Sequence, residues 1–158
     1  MLNIDTTLTA ADLQPAIDKL WQYSDAKIRR IDAEYDTTKG SPVFTIGGKY
    51  TTRGWTEWTQ GFQFGSALLQ FDATGDEWHL EYARKNTVEL MAPHVSHFGV
   101  HDHGFNNVST YGNLLRLMVE GKIPQDKWEK EFNILALKLS GASQARRFTE
   151  TLDGGGYL

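Results

Sequence analysis

The chain has 158 residues, the usual size of one domain, and its hydrophobic fraction of 40% and charged fraction of 23% are ordinary for a globular protein. A net charge of −4 without any basic run leaves no positive footprint for nucleic acid, so we expect no nucleic-acid partner. The lack of cysteine excludes disulfides, and no apolar run approaches the roughly 20 residues that cross a bilayer, so we expect no membrane partner.

The first part of the chain reads as one long helix and one long connection. Apolar residues at three- and four-residue steps predict a helix over residues 12–35. We place its N-cap at Asp12, because Pro15 is tolerated only in a first turn. Residues 36–54 follow as a connection rich in glycine, in which residues 43–46 form a short strand or an extended loop.

Two further helices are predicted to form an antiparallel pair. The second helix covers about residues 56–73, with Thr56 as a possible N-cap. Thr74-Gly75-Asp76 ends it with a glycine and starts the next helix with an acid, which is typical of a tight turn. The third helix covers about residues 77–91, and Pro93 ends it.

The last two predicted helices follow an irregular segment at residues 92–105. A fourth helix covers about residues 107–120, and a fifth opens after Pro124 and is interrupted by Gly141. The inward face of the fifth helix is expected to consist of Trp128, Phe132, Leu135 and Leu139.

These elements predict an all-α fold of stacked antiparallel helical hairpins in a single domain, residues 1–158. Short turns at 74–76 and 121–124 alternate with long loops at 36–54 and 92–106. The long loops would then gather at one end, which is where a functional site is expected.

The second helix has features of a helix that packs closely on another. Gly61 and Gly65 would each cost a free helix about 1 kcal/mol relative to alanine, so we expect another backbone to approach there. Trp58 lies in the first turn and is expected to reach the loop end. We expect three apolar residues of this helix to belong to the core: Phe62, Phe64 and Leu69.

Four of the five histidines lie between His94 and His103, and the segment contains the pair His101-Asp102. A carboxylate beside an imidazole can act as an acid or base on a substrate once its surroundings adjust its pKa. The alternative is that Asp102 caps the following helix and that His101 is an ordinary polar residue. A second alternative is a metal site, because several side chains of this segment are possible zinc ligands: His94, His97, His101, Asp102 and His103.

Three short motifs, taken in order, resemble one enzyme family. Trp58-Thr59-Gln60-Gly61-Phe62 is similar to the Trp-Thr-x-Gly-Phe tract of the unsaturated glucuronyl hydrolases and unsaturated rhamnogalacturonyl hydrolases (glycoside hydrolase families 88 and 105). Thr74-Gly75-Asp76-Glu77 resembles their Thr-Gly-Asp hairpin, and His101-Asp102-His103-Gly104-Phe105 resembles their His-Asp-x-Gly-Phe. The resemblance covers roughly residues 50–120.

The resemblance implies an (α/α)6 toroid and the hydrolysis of a 4,5-unsaturated uronic acid from the end of a lyase-generated oligosaccharide, a step in polysaccharide degradation. The reaction begins with hydration of the vinyl ether, and no metal or cofactor is implied. Asp102 matches one of two essential aspartates of the family. The expected substrate contacts are His101, Trp58, His103 and Phe105.

The chain departs from the family in two respects. His103 stands where the family usually has an apolar residue, so it could add a polar contact to the substrate. A complete toroid needs twelve helices, so we expect the chain to be the N-terminal part of one, with the second aspartate beyond Leu158. Helix faces left uncovered would expose apolar surface and favour self-association.

We expect a cytoplasmic protein with an oligosaccharide substrate; the alternative is a catalytically incomplete helical module that binds sugar or protein.

Overall fold

The computed structural model describes residues 5–54 and 58–157, and most of these are helical, in agreement with the all-α prediction. None of the helices in this part of the chain is both long and apolar enough to cross a membrane. In chain order the elements are α1 (Ala10–Glu34), a 3-10 turn (Thr37–Lys39), β1 (Ser41–Ile46), β2 (Lys49–Arg53), α2 (Gln60–Thr74), α3 (Glu77–Leu90), α4 (Ala92–Ser96), a π-helix (Gly104–Gly112), α5 (Asn113–Val119), α6 (Lys127–Ala145), β3 (Thr149–Glu150) and β4 (Gly156–Tyr157).

Helix α1 begins two residues earlier than the sequence predicts. Thr9 is the N-cap, since its hydroxyl oxygen accepts from the Asp12 N–H and its own N–H donates to the Asp12 carboxylate at 2.9 Å. The prediction that Asp12 caps the helix was therefore wrong, because Asp12 is the reciprocal partner in a capping box. Pro15 lies in the second turn, where it costs the helix one backbone hydrogen bond.

The connection after α1 is a β-hairpin. Strands β1 and β2 pair antiparallel, which decides the open choice between strand and extended loop at residues 43–46. Gly47 and Gly48 make the turn with φ values of 58° and 76°. Two consecutive residues with positive φ are typical of the two-residue turn that matches the twist of a hairpin.

The turn between α2 and α3 forms as the sequence predicts. Gly75 ends α2 with φ of 72°, and the Asp76 carboxylate accepts from the Trp78 N–H at 3.1 Å. Helix α2 begins at Gln60, so Trp58 lies in a turn before the helix, and the predicted N-cap Thr56 lies outside the described residues.

The segment after α3 contains more helix than the sequence predicts. Helix α3 ends at Leu90, close to the predicted end, and Pro93 occupies the second position of the short helix α4, where its lack of an N–H costs no intrahelical hydrogen bond. The predicted fourth helix begins three residues early, as a π-helix from Gly104 to Gly112 that continues into α5. It ends near Gly121, which has φ of 71°, as predicted.

Helix α2 lies at the centre of the fold and packs against α1, α3, α5 and the π-helix. Phe64 is fully buried, which confirms the core prediction for this residue. Phe62 and Leu69 are 42% and 46% exposed, so the same prediction was wrong for them. They lie on sides of α2 that the described elements cover only in part.

The two glycines of α2 mark the close approach that the sequence predicts. The Gly61 backbone contacts the start of the π-helix so tightly that an added Cβ would lie 2.7 Å from the Asn106 carbonyl oxygen and nearer still to other backbone atoms. One turn later, a Cβ on Gly65 would lie 2.7 Å from the Ser109 carbonyl oxygen. No other residue type fits at these positions without moving one of the two helices.

Helix α6 packs through a different face from the one predicted. Its covered face carries Asn133, Ala136 and Ser140, which lie against α4, α5 and the π-helix. Three of the four residues expected inside are exposed, namely Trp128, Leu135 and Leu139, and Phe132 is partly buried. Small side chains let the helices approach, so the apolar stripe faces outward. Apolar surface is thus exposed, and self-association through it stays a prediction.

Replacing Gly61 or Gly65 by alanine should destabilise the fold by about 1–3 kcal/mol each, because the new methyl group would overlap the π-helix backbone. Gly141 is the matched control. It lies inside α6 with no atom within 4 Å of an added Cβ, so alanine there should stabilise by up to about 1 kcal/mol. Urea unfolding of the three variants measures this. Equal effects at Gly61 and Gly141 would contradict the close helix contact.

Candidate functional site

Three half-exposed aromatic rings meet where α2 begins and the π-helix starts. We name Trp58, Phe62 and Phe105 the aromatic triad. Ring centroids lie 5.7 Å apart for Trp58 and Phe62, 5.6 Å for Trp58 and Phe105, and 5.4 Å for Phe62 and Phe105. Each member keeps 42–47% of its surface exposed. The triad is therefore a surface of aromatic rings open to solvent.

The backbone contact at Gly61 assembles this triad from residues that are distant in sequence. The Gly61 N–H donates to the Asn106 side-chain oxygen at 3.0 Å, and both residues are buried. This hydrogen bond fixes the start of the π-helix against the first turn of α2. Phe105, which precedes Asn106, is thereby held against the ring of Phe62.

Asp102 lies one turn before Asn106, since its carbonyl oxygen accepts from the Asn106 N–H. Its side chain is 18% exposed, and the His101 Nε2 atom lies 3.6 Å from its carboxylate. His101 itself is 81% exposed. His101 thus reaches solvent, and Asp102 lies in the same backbone turn as Phe105, one member of the aromatic triad.

The structure argues against Asp102 as a helix cap. No side-chain hydrogen bond caps the π-helix, and within the described part of the chain the Asp102 carboxylate accepts none from a backbone N–H. The prediction that Asp102 caps the helix is therefore wrong, and the prediction that His101 is an ordinary polar residue stays a prediction. The Asp102 carboxylate is partly covered by the protein but accepts no capping hydrogen bond.

His103 occupies a different environment from its neighbours. It is buried, its Nδ1 atom lies 2.8 Å from the Ser140 hydroxyl oxygen, and its Nε2 atom bonds the His97 carbonyl oxygen. Both ring nitrogens are thus engaged inside the protein. His103 therefore bridges α6 and the segment of residues 97–103, which we name the histidine loop. The sequence had predicted an open contact between His103 and the substrate.

Behind the triad lies a buried polar network that the sequence analysis missed. The Asn107 side-chain amide donates to the Ser140 hydroxyl and to the His94 carbonyl, each at 3.1 Å. His94 in turn bonds the Gln60 side-chain oxygen at 2.7 Å. These buried groups join α2, α4, the π-helix and α6. The one sequence signal for this network was the row of polar residues on α6, and such a row is typical of a helix face exposed to solvent.

Burial of His94 changes its protonation. The pKa of His94 is lowered to about 4, first by its removal from water and then by the nearby charges of His97 and His103. The neutral imidazole is therefore the form present in the folded protein near neutral pH. Its bond to Gln60 is one between neutral groups.

The four loop histidines do not form a metal site in the described residues, where no three of their side chains converge. The one group of three ligands found there is Asp25, Asp76 and His79, whose ligand atoms lie within 4.8 Å of one another. Arg29 already contacts both carboxylates, and its hydrogen bond to Asp25 lowers the pKa of that carboxyl. A fixed guanidinium there opposes a metal cation.

A cavity of about 340 Å³ lies beside the aromatic triad. Trp58 and Phe62 form part of its wall, and Tyr50 and Tyr82 add two further rings. Thr59 and Gln63 also line it, and each has a buried side-chain oxygen without a hydrogen-bond partner in the described structure. Neither His101 nor Asp102 is among its lining residues. The cavity thus offers ring surfaces to a ligand, whereas the oxygens of Thr59 and Gln63 are covered by the protein itself.

Comparison of the chain with protein-family models, with curated proteins and with solved structures gives no match in any of the three.

The buried, neutral His94 should make stability depend on pH. In the unfolded chain His94 takes up a proton below about pH 6.5, whereas in the folded protein it does so only near pH 4. Between these values the unfolded state binds more protons, so the free energy of unfolding should fall as pH falls, by at most about 1.4 kcal/mol per pH unit. Urea titrations across this window measure the slope.

The matched variants are His94→Gln and His101→Gln. The first removes the buried titrating group and should flatten the slope. The second changes a side chain that is 81% exposed and should leave the slope as it is. An unchanged slope in His94→Gln would show that another group controls stability in this pH range.

Proposed function

We propose that the chain is a carbohydrate-active hydrolase related to the unsaturated uronyl hydrolases, in which the aromatic triad binds a sugar ring and Asp102 transfers a proton. The observation that carries this proposal is the contact between Trp58 and Phe105. It brings two of the three motifs of the resemblance together in space, although Trp58 and Phe105 are 47 positions apart in sequence. Asp102 belongs to the same motif as Phe105 and lies in the same backbone turn.

Ring surfaces of this kind suit an oligosaccharide. A sugar ring has apolar faces and polar edges, and a flat aromatic ring covers such a face without demanding hydrogen bonds from it. Trp58 is 44% exposed, so its ring is open to a ligand.

The proposed chemistry is the hydration of a vinyl ether. Hydration adds one hydrogen and one hydroxyl from a water molecule across the double bond. A single carboxyl group can supply the first proton to carbon and then regain one from the attacking water. Asp102 fits this role because its carboxylate is partly covered and reaches solvent beside His101. His101 is placed to hold a substrate hydroxyl or carboxylate.

The proposed architecture is part of an (α/α)6 toroid. The tight pair of α2 and α3 supports it, as does the packing of the π-helix and α6 around α2 and α4. The outward apolar residues of α6 are of the kind that a further layer of helices would cover.

A non-catalytic sugar-binding module is the second candidate. The cavity beside Trp58 favours it, because no carboxylate lines that cavity. A sugar seated there would rest on aromatic rings without an acid in contact. This module would bind oligosaccharides and leave them intact.

Asp102→Asn should lower the hydrolysis rate of a lyase-generated unsaturated oligosaccharide by on the order of 10²-fold or more, because proton transfer through residue 102 is lost. Loss of absorbance in the unsaturated-uronate band measures turnover. Asp18→Asn is the matched control, since Asp18 is an exposed acid on α1. Equal rates for Asp102→Asn and the unaltered protein would remove Asp102 from the mechanism. Binding without any turnover would favour the second candidate.

Trp58→Ala should weaken binding of the same oligosaccharide about fivefold, which corresponds to roughly 1 kcal/mol of lost ring contact. Trp128→Ala is the matched control, because Trp128 is a 70% exposed tryptophan on α6 outside the aromatic triad. Calorimetric titration of both variants gives the dissociation constants. If the two variants bind equally well, the triad is not the sugar surface.

A further inference from the structure

A second, larger cavity lies between α1 and the β-hairpin. Its volume is about 850 Å³, within the range of small-molecule sites. Lys27 and Arg30 line it from α1, Lys49 and Tyr50 from the hairpin, and Tyr35 from the residue that ends α1. None of these residues belongs to the aromatic triad, so the cavity has no role in the function proposed above.

The charges that line this cavity are mostly positive. Lys27, Arg30 and Lys49 face a single carboxylate, that of Glu34. Arg30 already binds Glu34, with its Nε atom 3.0 Å from both carboxylate oxygens. Lys27 and Lys49 form no ion pair with any residue in the described ranges. Among the described residues, two of the three cationic side chains that line the cavity therefore have no carboxylate partner, in a chain whose net charge is −4.

Two tyrosines give the same cavity a ring surface. The rings of Tyr35 and Tyr50 meet edge to face, with centroids 6.4 Å apart. The Tyr35 hydroxyl bonds the Thr52 hydroxyl at 3.2 Å, which ties the end of α1 to β2. Tyr50 is 45% exposed and also lines the smaller cavity beside Trp58. Its ring is thus fixed by a neighbour on one side and open to a ligand on another.

We propose that this cavity binds a small organic anion that carries one ring, with its phosphate or carboxylate group held by Lys27 and Lys49 and its ring placed against Tyr50. Two ammonium groups in one concave site attract a negative charge more strongly than separate surface lysines do. Tyrosine supplies apolar contact area together with a polar edge. Arg30, already neutralised by Glu34, forms the rim of the site.

Calorimetric titration of the whole chain with four probes tests this proposal: phenyl phosphate, benzoate, inorganic phosphate and phenol. Phenyl phosphate should bind in the millimolar range and should weaken as salt is added. Benzoate distinguishes a carboxylate from a phosphate as the preferred group. Inorganic phosphate and phenol should each bind more weakly than phenyl phosphate, because each lacks one of the two contacts.

Lys27→Gln and Lys49→Gln should each weaken phenyl phosphate binding by up to about fivefold, the upper range for one exposed ion pair. Lys138→Gln, a change to an exposed lysine on α6, should leave it unchanged. Circular dichroism checks that the variants are folded. The proposal is overturned if neither phenyl phosphate nor benzoate binds, or if phenol binds as well as phenyl phosphate. It is also overturned if the Lys27 and Lys49 variants bind phenyl phosphate as the Lys138 variant does. Salt-independent binding by the unaltered chain would overturn it without any variant.

Discussion

The close contact between α2 and the π-helix sets the geometry of everything around it. It exists because Gly61 and Gly65 have no side chain, so two backbones can lie against each other, and because the Gly61 N–H finds the buried Asn106 oxygen. Each glycine lowers the intrinsic stability of α2, and the helix accepts this cost only when the partner backbone is present. The same contact places Phe105 on Phe62 and brings the Asp102 turn to the aromatic triad. The two glycines that weaken α2 on its own are thus the residues that allow the aromatic triad to assemble.

The buried polar network gives the histidine loop its fixed path. Asn107, Ser140 and His103 bind one another and the loop carbonyls in a region from which water is excluded. Such groups are costly unless each finds a partner, so the network tolerates few alternative arrangements of the loop. His94 contributes in its neutral form, held by Gln60 of α2. The exposed His101 and the partly covered Asp102 therefore follow a loop that is held by side chains that do not reach the surface.

Much of the local structure could be predicted from sequence, because it depends on local chemistry. The Thr74-Gly75-Asp76 turn and the glycine spacing in α2 follow from backbone rules that hold wherever the segment lies. The helix α6 was predicted from sequence, but its inward face could not be, since apolar periodicity does not say which face a neighbour will cover; small and polar residues face inward there. The burial of His103 could not be predicted from sequence either. The sequence predicted a substrate contact at the surface, whereas His103 is buried against Ser140 of α6.

The proposed hydrolysis requires a sugar that touches the Trp58 ring while its double bond reaches the Asp102 carboxylate. A crystal structure of the Asp102→Asn variant with an unsaturated disaccharide tests this most directly. The expected result is a sugar ring stacked on Trp58, with a vinyl ether carbon about 3 Å from the side chain at position 102. A disaccharide seated in the cavity of Tyr50 and Tyr82, with no atom near position 102, would contradict it.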